Sequence, residues 1–375
     1  MKNKKRSTSH FDSNEFFTKS LLAWYFKKEP RDLPWKETLN AYHIWLSEII
    51  LQQTRVEQGK PYYKKFVTTY PTIKDLADAS EDEVMKLWQG LGYYSRARNL
   101  HHTAQFIRDQ YDGIFPDSYA LIRSLKGVGD YTAAAIASFA YNLPHAVVDG
   151  NVYRVLARYF ANSTPIDSSL GKKQFAQLAQ DLLEEEQPSD FNQAIMDLGA
   201  LVCKPKSPLC KDCPLSKGCL AYQNQNVTAF PIKGKKIVRK QRFFYYFVWN
   251  SPEGNTILKK REDKDIWQGL FDFPLIELDE LVAIDNISLL LNHKEYLDWR
   301  DTNPNETTVS QTLGPYKQIL THQHIVAFFI KVEGPIPLFF SKKLSYIEVE
   351  PKNIKKFAVP KIVEQYFQQQ QTTLF

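Results

Sequence analysis

Apolar residues recur at helical spacing through the first 220 residues and then change to short continuous runs. Five prolines interrupt the helical pattern: Pro34, Pro71, Pro116, Pro144 and Pro188. Three later runs have the composition of β-strands, at 243–249, 256–260 and 325–332, and residues 279–291 have that of a helix. The pattern therefore predicts a mainly α domain over residues 16–223 and an α+β domain over residues 243–364.

Three polar segments flank the two predicted domains. Residues 1–15 form a basic tail, residues 224–242 a basic linker and residues 365–375 a glutamine-rich tail. A length of 375 residues fits two domains, and 43% apolar residues suffice to build their cores. The chain contains no run of 18 apolar residues, and no apolar segment follows the basic N-terminus. We therefore expect a soluble protein that neither spans a membrane nor is secreted.

The positive charge is concentrated in one part of the chain. The net charge is only +6, but residues 201–250 hold ten Lys or Arg against one acidic residue. A basic segment of this kind is either a solvated linker or a surface that binds a polyanion such as DNA. Composition alone leaves both interpretations open.

A glycine hairpin is predicted within residues 117–141. Gly127 and Gly129 stand in the sequence LKGVGDYT, between a short amphipathic helix and a helix of small residues. Glycines allow a tight turn, and the free N–H groups at the start of the second helix can bind an anion such as a DNA phosphate. An ordinary turn between two helices would explain the same pattern.

Two carboxylates are candidates for chemistry. Asp149 follows an apolar run at a sharp turn, where it can cap the next helix, face a bound sugar, or do both. Glu48 lies in a predicted helix over residues 42–57, among apolar residues, with Gln52 and Arg55 on the same stripe. Burial would raise the pKa of Glu48 and let it act as a general acid. The alternative is a surface glutamate paired with Arg55.

The four cysteines carry the strongest signal. They occupy seventeen residues in the pattern C-x6-C-x2-C-x5-C, as Cys203, Cys210, Cys213 and Cys219. Four thiolates can hold zinc or an iron-sulfur cluster. Zinc ribbons pair their ligands in two C-x2-C knuckles, and this chain has only one, so the spacing favours iron-sulfur. Lysines between the ligands would give this loop, residues 203–219, a basic surface.

Together these motifs resemble the MutY family of adenine DNA glycosylases, which belongs to the helix-hairpin-helix superfamily. The matching segments extend over nearly the whole chain: LPW at 33–35, WLSE at 45–48, LQQT at 51–54, GLGYY at 90–94, VDGN at 148–151, the hairpin and the cysteine loop. The resemblance implies a DNA repair enzyme that flips adenine out of a mispair with 8-oxoguanine or guanine in double-stranded DNA. It also implies a 4Fe-4S cluster on the four cysteines.

The resemblance assigns roles to individual residues. Glu48 would be the catalytic acid and Asp149 its partner carboxylate. Trp35, Tyr131 and Asn151 would line the adenine pocket. The DNA contacts would come from Gln52, Gln53, Tyr93, Gly127 and Gly129.

Two positions in the hairpin bear on this assignment. Lys126 stands where the family usually has proline, which puts the rigidity of the hairpin in doubt. Tyr131 stands where bifunctional relatives place a lysine that forms a Schiff base. Without that amine the nucleophile should be water, and the enzyme should have no lyase step of that kind.

The C-terminal domain resembles a Nudix fold, with matches at WQGLF over 267–271 and LTHQH over 320–324. No glycine there begins the signature that a Nudix hydrolase needs for its magnesium ions. We therefore expect a recognition module in which Thr321 and His322 contact the base opposite adenine. The family usually writes this loop Phe-Ser-His, so the aromatic contact is absent here.

The resemblance also suggests a protein partner and a cellular location, and the sequence leaves three other functions open. The last five residues, Q-x-x-L-F from Gln371, resemble the peptide that docks bacterial repair proteins on the sliding clamp. A monomer in the bacterial cytoplasm, associated with the nucleoid, is expected. Three other functions are compatible with parts of the sequence: a pyrimidine-damage glycosylase with lyase activity, a hydrolase of oxidised nucleotides, and a DNA-binding protein without catalysis.

Overall fold

A computed structural model describes residues 9–28, 31–234, 238–262, 264–283, 286–300 and 307–372. Its chain divides into two compact units. The first comprises residues up to Asp78 and from Asn99 to Lys235, and the second comprises Ala79–Arg98 and Lys236–Phe375. Residues 79–98 thus belong to the second unit, whereas the sequence predicted one continuous helical domain. Lys260, which pairs with Asp82 at 2.6 Å, and Lys86, which donates to the carbonyl of Phe357 at 2.9 Å, hold this segment there.

The first unit is helical, as predicted. Its helices are α1 (Ser9–Tyr25), α2 (Ala41–Ile50), α3 (Val56–Thr69), α4 (Ile73–Asp78), α7 (Tyr119–Ser124), α8 (Asp130–Tyr141), α9 (Gly150–Tyr159), α10 (Ser169–Leu182), α11 (Pro188–Leu201) and α12 (Leu220–Gln223). Helix α5 (Glu81–Trp88) lies in the second unit, and α6 covers Ser95–Tyr111. Helix α1 begins at Ser9, so the predicted tail over 1–15 is wrong for residues 9–15; residues 1–8 lie outside the described chain.

The helix predicted over residues 42–57 is wrong in length. Helix α2 ends at Ile50, Gln53 adopts a left-handed φ of 55°, and α3 starts only at Val56. Gly59 allows the return, because a β-carbon there would lie 2.7 Å from Leu51 Cδ2. The stripe of Glu48, Gln52 and Arg55 therefore does not exist on one helix.

The predicted hairpin is formed by α7, α8 and the turn between them. Gly127 has a φ of +80°, and a β-carbon there would lie 2.8 Å from Asn99 Cβ, so the turn needs glycine. Thr103 donates to the carbonyl of Lys126 at 2.9 Å, and Arg123 donates to that of Val128 at 3.2 Å. These bonds hold the turn although Lys126 replaces proline.

The second unit contains two sheets. Its strands are β1 (Lys240–Asn250), β2 (Thr256–Lys260), β3 (Phe271–Asp272), β4 (Leu275–Leu278), β5 (Thr308–Ile319), β6 (Gln323–Glu333) and β7 (Tyr346–Val349). The four-stranded sheet has the order β4-β1-β6-β5, with β1 parallel to β6, and the smaller sheet has the order β3-β2-β7. The three predicted strands are confirmed. Strand β1 starts at Lys240, so the predicted linker over 224–242 extends three residues too far.

The helices of the second unit correct two further predictions. They are α13 (Ile287–Leu291), α14 (Lys294–Trp299), α15 (Leu338–Ser341) and α16 (Lys361–Thr372). Of the predicted helix over 279–291, the last five residues are confirmed, whereas residues 284–285 lie outside the described chain. The predicted tail over 365–375 is helical as far as Thr372, because Tyr366 stacks on Phe329 with ring centroids 4.3 Å apart and buries that face of α16. Residues 373–375 lie outside the described chain.

Within the described ranges, no helix is long and apolar enough to cross a membrane.

Candidate active site

Glu48 lies in the middle of α2 and is buried, with 6% of its surface exposed. Nearly all of α2 packs in the interior, since nine of its ten residues are buried. The pKa of Glu48 is raised to about 7, chiefly by burial; a hydrogen bond from the Tyr131 hydroxyl opposes the rise, and the negative charge of Asp149 adds to it. Glu48 therefore carries a proton for much of the time near neutral pH, and the surface pair with Arg55 is wrong.

Asp149 caps helix α9 and faces the same space as Glu48. One carboxylate oxygen accepts from the backbone N–H groups of Asn151 at 2.8 Å and Val152 at 2.7 Å, and the other accepts from the Asn151 side chain at 2.7 Å. Burial raises the pKa of Asp149, but these three donors stabilise the charged form and oppose the rise. Within the described ranges Glu48 has no comparable set of donors, so Asp149 is the carboxyl group whose charged form is better stabilised.

Two cavities meet at these carboxylates. A pocket of about 260 Å³ lies on one side and a groove of about 770 Å³ on the other, and both are lined by Glu48, Leu51, Tyr131 and Asp149. Trp35 and Asn151 line the pocket, together with Tyr131, as the resemblance implied. The pocket thus offers space for a planar base beside a proton donor.

Sequence reasoning missed several residues of the small pocket. Arg31, Leu51, Gln193 and Asp197 also line it. Asp197 is buried and accepts from Lys28 at 2.9 Å, Arg31 at 3.1 Å and Lys36 at 2.9 Å. The signal in the sequence was an acid within the apolar pattern of residues 188–201, but its three partners lie more than 160 positions away.

The groove contains the hairpin residues and the two glutamines. Gln52 donates to the Thr132 hydroxyl at 3.2 Å, which ties the connection after α2 to helix α8. Gln53 and Gly129 also line the groove, and Gly127 forms the turn beside it in sequence. Trp35 and Asn151 line only the small pocket, and Gly127 lines neither cavity. The structure therefore places around the groove the other predicted residues of the first unit, namely Glu48, Gln52, Gln53, Gly129, Tyr131 and Asp149.

Tyr93, Thr321 and His322 form a separate group in the second unit. The Tyr93 hydroxyl hydrogen-bonds to the Thr321 hydroxyl, and all three residues line a cavity of about 500 Å³. The backbone amide of Lys240 donates to the carbonyl of His322 at 2.9 Å, and Arg239 Nε donates to that of Leu320 at 3.1 Å. The predicted contacts of Tyr93 and of the 320–322 loop are thus neighbours, although 228 positions separate Tyr93 from Thr321.

The four cysteines surround one small cavity next to α9. Cys203, Cys210, Cys213 and Cys219 are free thiols that line a space of about 30 Å³. The buried Arg158 donates to Cys203 Sγ at 3.3 Å and to the carbonyl of Lys204 at 2.8 Å. Among the described residues, no group of three or more acidic, histidine or cysteine side chains is arranged to hold a single metal ion.

A chain of hydrogen bonds joins the carboxylates to the cysteine loop. Asn151 donates to Asp149 and accepts from Arg154 at 2.9 Å, and Arg154 in turn donates to the carbonyl of Cys203 at 2.7 Å. Gly199 lets α11 approach this chain, because a β-carbon there would lie 2.5 Å from Asn151 Cβ. The orientation of Asp149 therefore depends on the fold of the cysteine loop.

The comparisons with known proteins agree with this geometry. Residues 46–183 match the HhH-GPD superfamily of base excision DNA repair proteins. The adenine DNA glycosylase of Buchnera aphidicola subsp. Acyrthosiphon pisum is 38% identical over 268 residues, 72% of this chain and 76% of that protein. The adenine DNA glycosylase of Buchnera aphidicola subsp. Baizongia pistaciae is 36% identical over 308 residues, 82% of this chain and 83% of that protein. A solved thermostable thymine-DNA glycosylase, 32% identical, covers 57% of this chain and 98% of its own, with a TM-score of 0.53.

Proposed function

Because the chain belongs to the adenine DNA glycosylase family, we propose that it removes adenine mispaired with 8-oxoguanine or guanine from double-stranded DNA. The observation that carries the proposal is the pair of carboxyl groups beside the base-sized pocket, of which Glu48 is buried and Asp149 is partly buried. One, Glu48, has a pKa of about 7, and the other, Asp149, is held as a carboxylate by N–H donors.

The two carboxyl groups divide the reaction between them. The adenine must leave the helix, because its glycosidic bond is out of reach inside the duplex. Glu48 donates its proton to the base, at N7, and makes it a better leaving group. The bond between C1′ and N9 then breaks, and Asp149 stabilises the positive charge on the sugar, as in glycosidases with two carboxylates. Water adds to C1′ and releases a proton, which restores Glu48. Tyr131 supplies no amine for a Schiff base.

Duplexes that differ only in the base opposite adenine provide the direct test. We expect adenine release from A:8-oxoguanine and A:G pairs and little from A:T, measured as strand scission after alkali treatment. Equal release from A:T would contradict the mispair specificity. Release of oxidised pyrimidines instead would support the alternative function, a pyrimidine-damage glycosylase of the same superfamily.

We further propose that the cysteine loop holds a 4Fe-4S cluster. Four thiols around one cavity, with Arg158 donating to a sulfur, fit a negatively charged cluster, which hydrogen bonds to sulfur stabilise. The cluster would shape the loop and its exposed lysines for contact with DNA. Catalysis as described above requires no change in its oxidation state.

The iron content should follow from this donor set. We expect purified protein to be brown and to contain about four irons per chain. Cys213→Ser should lose iron and colour, because it removes one of the four thiolates that would hold the cluster. Iron and zinc analysis, with circular dichroism as a control for folding, checks this. A colourless protein with zinc and full activity would overturn it.

The second unit is proposed to be a Nudix-like reader of the opposite base. Its mixed four-stranded sheet carries the 320–322 loop at the start of β6, where Thr321 offers a hydroxyl and His322 an exposed imidazole. His322→Ala should reduce the preference for A:8-oxoguanine over A:G, by about tenfold if one hydrogen bond to a charged or strongly polar group is lost. His324→Ala, two positions along β6, is the matched control. Equal loss on both substrates would mean that His322 is structural.

Two remaining proposals rest on the resemblance alone. The protein is proposed to act as a monomer with the nucleoid in a bacterial cytoplasm. Its last five residues, from Gln371, are proposed to bind the sliding clamp, although residues 373–375 lie outside the described chain. Calorimetric titration of the clamp with the full chain and with a chain ending at Gln370 tests this; indistinguishable binding would contradict it.

A further inference from the structure

The wall of the groove in the first unit includes polar groups that neither the fold nor the proposed chemistry uses. Tyr119 and His145 stack there, with ring centroids 4.1 Å apart and planes at 20°. Lys172, on α10, lines the same groove and is exposed. Within the part of the chain that the structure describes, the Tyr119 hydroxyl, the His145 ring and the Lys172 ammonium have no hydrogen-bond or ion-pair partner.

The aromatic pair is held rigidly by the backbone around His145. The Asn192 side chain donates to the carbonyl of His145 at 2.9 Å and accepts from the amide of Val147 at 2.9 Å. The Gln180 side chain donates to the carbonyl of Pro144 at 3.0 Å and accepts from the amide of Ala146 at 3.0 Å. Two amide side chains thus fix four consecutive residues, so the ring is presented in one place before any ligand binds.

The polar groups at this wall favour an anionic ligand. Lys172 is the one Lys or Arg among the described residues that line it. Of the acids that line the groove, Asp130 pairs with Arg123, Asp149 accepts from the amides of Asn151 and Val152, and Glu48 carries a proton for much of the time near neutral pH. Burial lowers the pKa of His145, so its imidazole is neutral and offers one N–H donor. An ammonium, a hydroxyl and an imidazole N–H together suit a phosphodiester.

The connectivity of the substrate points to the same wall. The small pocket and the groove share the two carboxyl groups, so a sugar placed between these groups has its base in the pocket and its phosphates in the groove. We propose that Tyr119, His145 and Lys172 form a subsite for a phosphodiester next to the flipped nucleotide, on the strand that loses its adenine. This inference rests on the proposed function and adds the residues that hold the strand during excision.

A charge-neutral phosphate analogue tests the subsite. The probe is a duplex with 2′-fluoro-2′-deoxyadenosine opposite 8-oxoguanine, which resists hydrolysis, with a methylphosphonate placed in turn at each of the three phosphates on either side of the adenosine. Lys172→Gln should weaken binding of the all-phosphate duplex about tenfold and reduce the salt slope by about one. One methylphosphonate position should make wild type and Lys172→Gln bind equally. Fluorescence anisotropy measures both effects.

Lys173→Gln is the matched control, because Lys173 is the next residue on the same helix, is also exposed and does not line the groove. Equal weakening by Lys172→Gln and Lys173→Gln would show only diffuse attraction and would overturn the subsite. So would a difference between wild type and Lys172→Gln that persists at every methylphosphonate position.

Conservative variants test the aromatic pair without removing the stack. Tyr119→Phe and His145→Phe keep two rings in contact but delete the hydroxyl and the imidazole N–H. Each should weaken binding about threefold, with an unchanged melting temperature, and the loss should vanish at the methylphosphonate position that couples to Lys172 or at the adjacent one. Unchanged binding by both would remove the pair from the subsite. Release of adenine from the unmodified duplex by the wild type is measured in parallel. If no adenine is released, the proposed function is contradicted, rather than the subsite.

Discussion

Glu48→Gln should lower the rate of adenine release by at least about 10²–10⁴-fold while leaving duplex binding close to that of the wild type. Glutamine has nearly the same shape and can still accept from Tyr131, so the pocket should keep its form. It cannot donate an acidic proton, and unprotonated adenine is a poor leaving group. The loss should therefore appear in the chemical step.

Single-turnover cleavage at saturating enzyme measures this step, and anisotropy measures binding. Glu57→Gln, an exposed position on α3, is the matched control and should cleave normally. Borohydride should trap no covalent adduct with the wild type, because Tyr131 has no amine. Turnover by Glu48→Gln at the wild-type rate would remove Glu48 from the chemistry.

The raised pKa of Glu48 also determines how adenine release and stability change with pH. Adenine release should fall as the pH rises through about 7, where the acid loses its proton. The folded-state pKa is raised above 4.5, so the stability that wild-type Glu48 provides when protonated is lost between about pH 4.5 and 7. At pH 8 the unfolding free energy of Glu48→Gln should thus exceed that of the wild type by roughly 1–3 kcal/mol. At pH 5 this difference should be much smaller. Thermal unfolding at the two pH values checks this difference.

Asp149→Asn should reduce adenine release by about 10²–10⁴-fold, because a neutral amide cannot stabilise the positive charge that develops on the sugar. Its effect on the fold should be small but measurable. Asparagine caps helices about as well as aspartate, so the bonds from the amides of Asn151 and Val152 can remain. The new amide N–H₂ would, however, face the Asn151 side chain, which now donates to Asp149 and is itself held by Arg154.

A second variant separates the charge from the cap. Asp149→Ser also keeps a capping oxygen but removes both the charge and the opposed amide. Both variants should lose excision. Asp149→Asn should set two amide N–H₂ groups against each other, whereas Asp149→Ser should leave the Asn151 amide without its acceptor, and each should cost about 1 kcal/mol in unfolding free energy. Near-normal cleavage by Asp149→Ser would show that Asp149 is only a helix cap. Denaturant unfolding of all three proteins supplies the control.

The sequence by itself determined the features that depend on neighbouring residues. The glycine turn between α7 and α8, the capping of α9 by Asp149 and the grouping of the cysteines each involve contacts within a few positions of the chain. Such contacts follow from backbone geometry and side-chain reach, which local sequence encodes. Strands β1, β2 and β6 were also predictable, because β1 and β6 are continuous apolar runs buried in a sheet, whereas β3, β4, β5 and β7 were not predicted.

Tertiary structure decided where the helices end and which groups become acidic. Helix α2 stops at Ile50 because α3 packs back through Gly59, a contact that helical periodicity cannot show. Residues 365–372 are helical because Tyr366 stacks on Phe329. Their glutamine-rich sequence alone had predicted an irregular tail. The pKa of Glu48 depends on burial beside Tyr131 and Asp149, which lie 83 and 101 positions further along the chain. Desolvation is a property of the assembled fold, so the sequence could nominate Glu48 as the acid but only the packing around it makes it one.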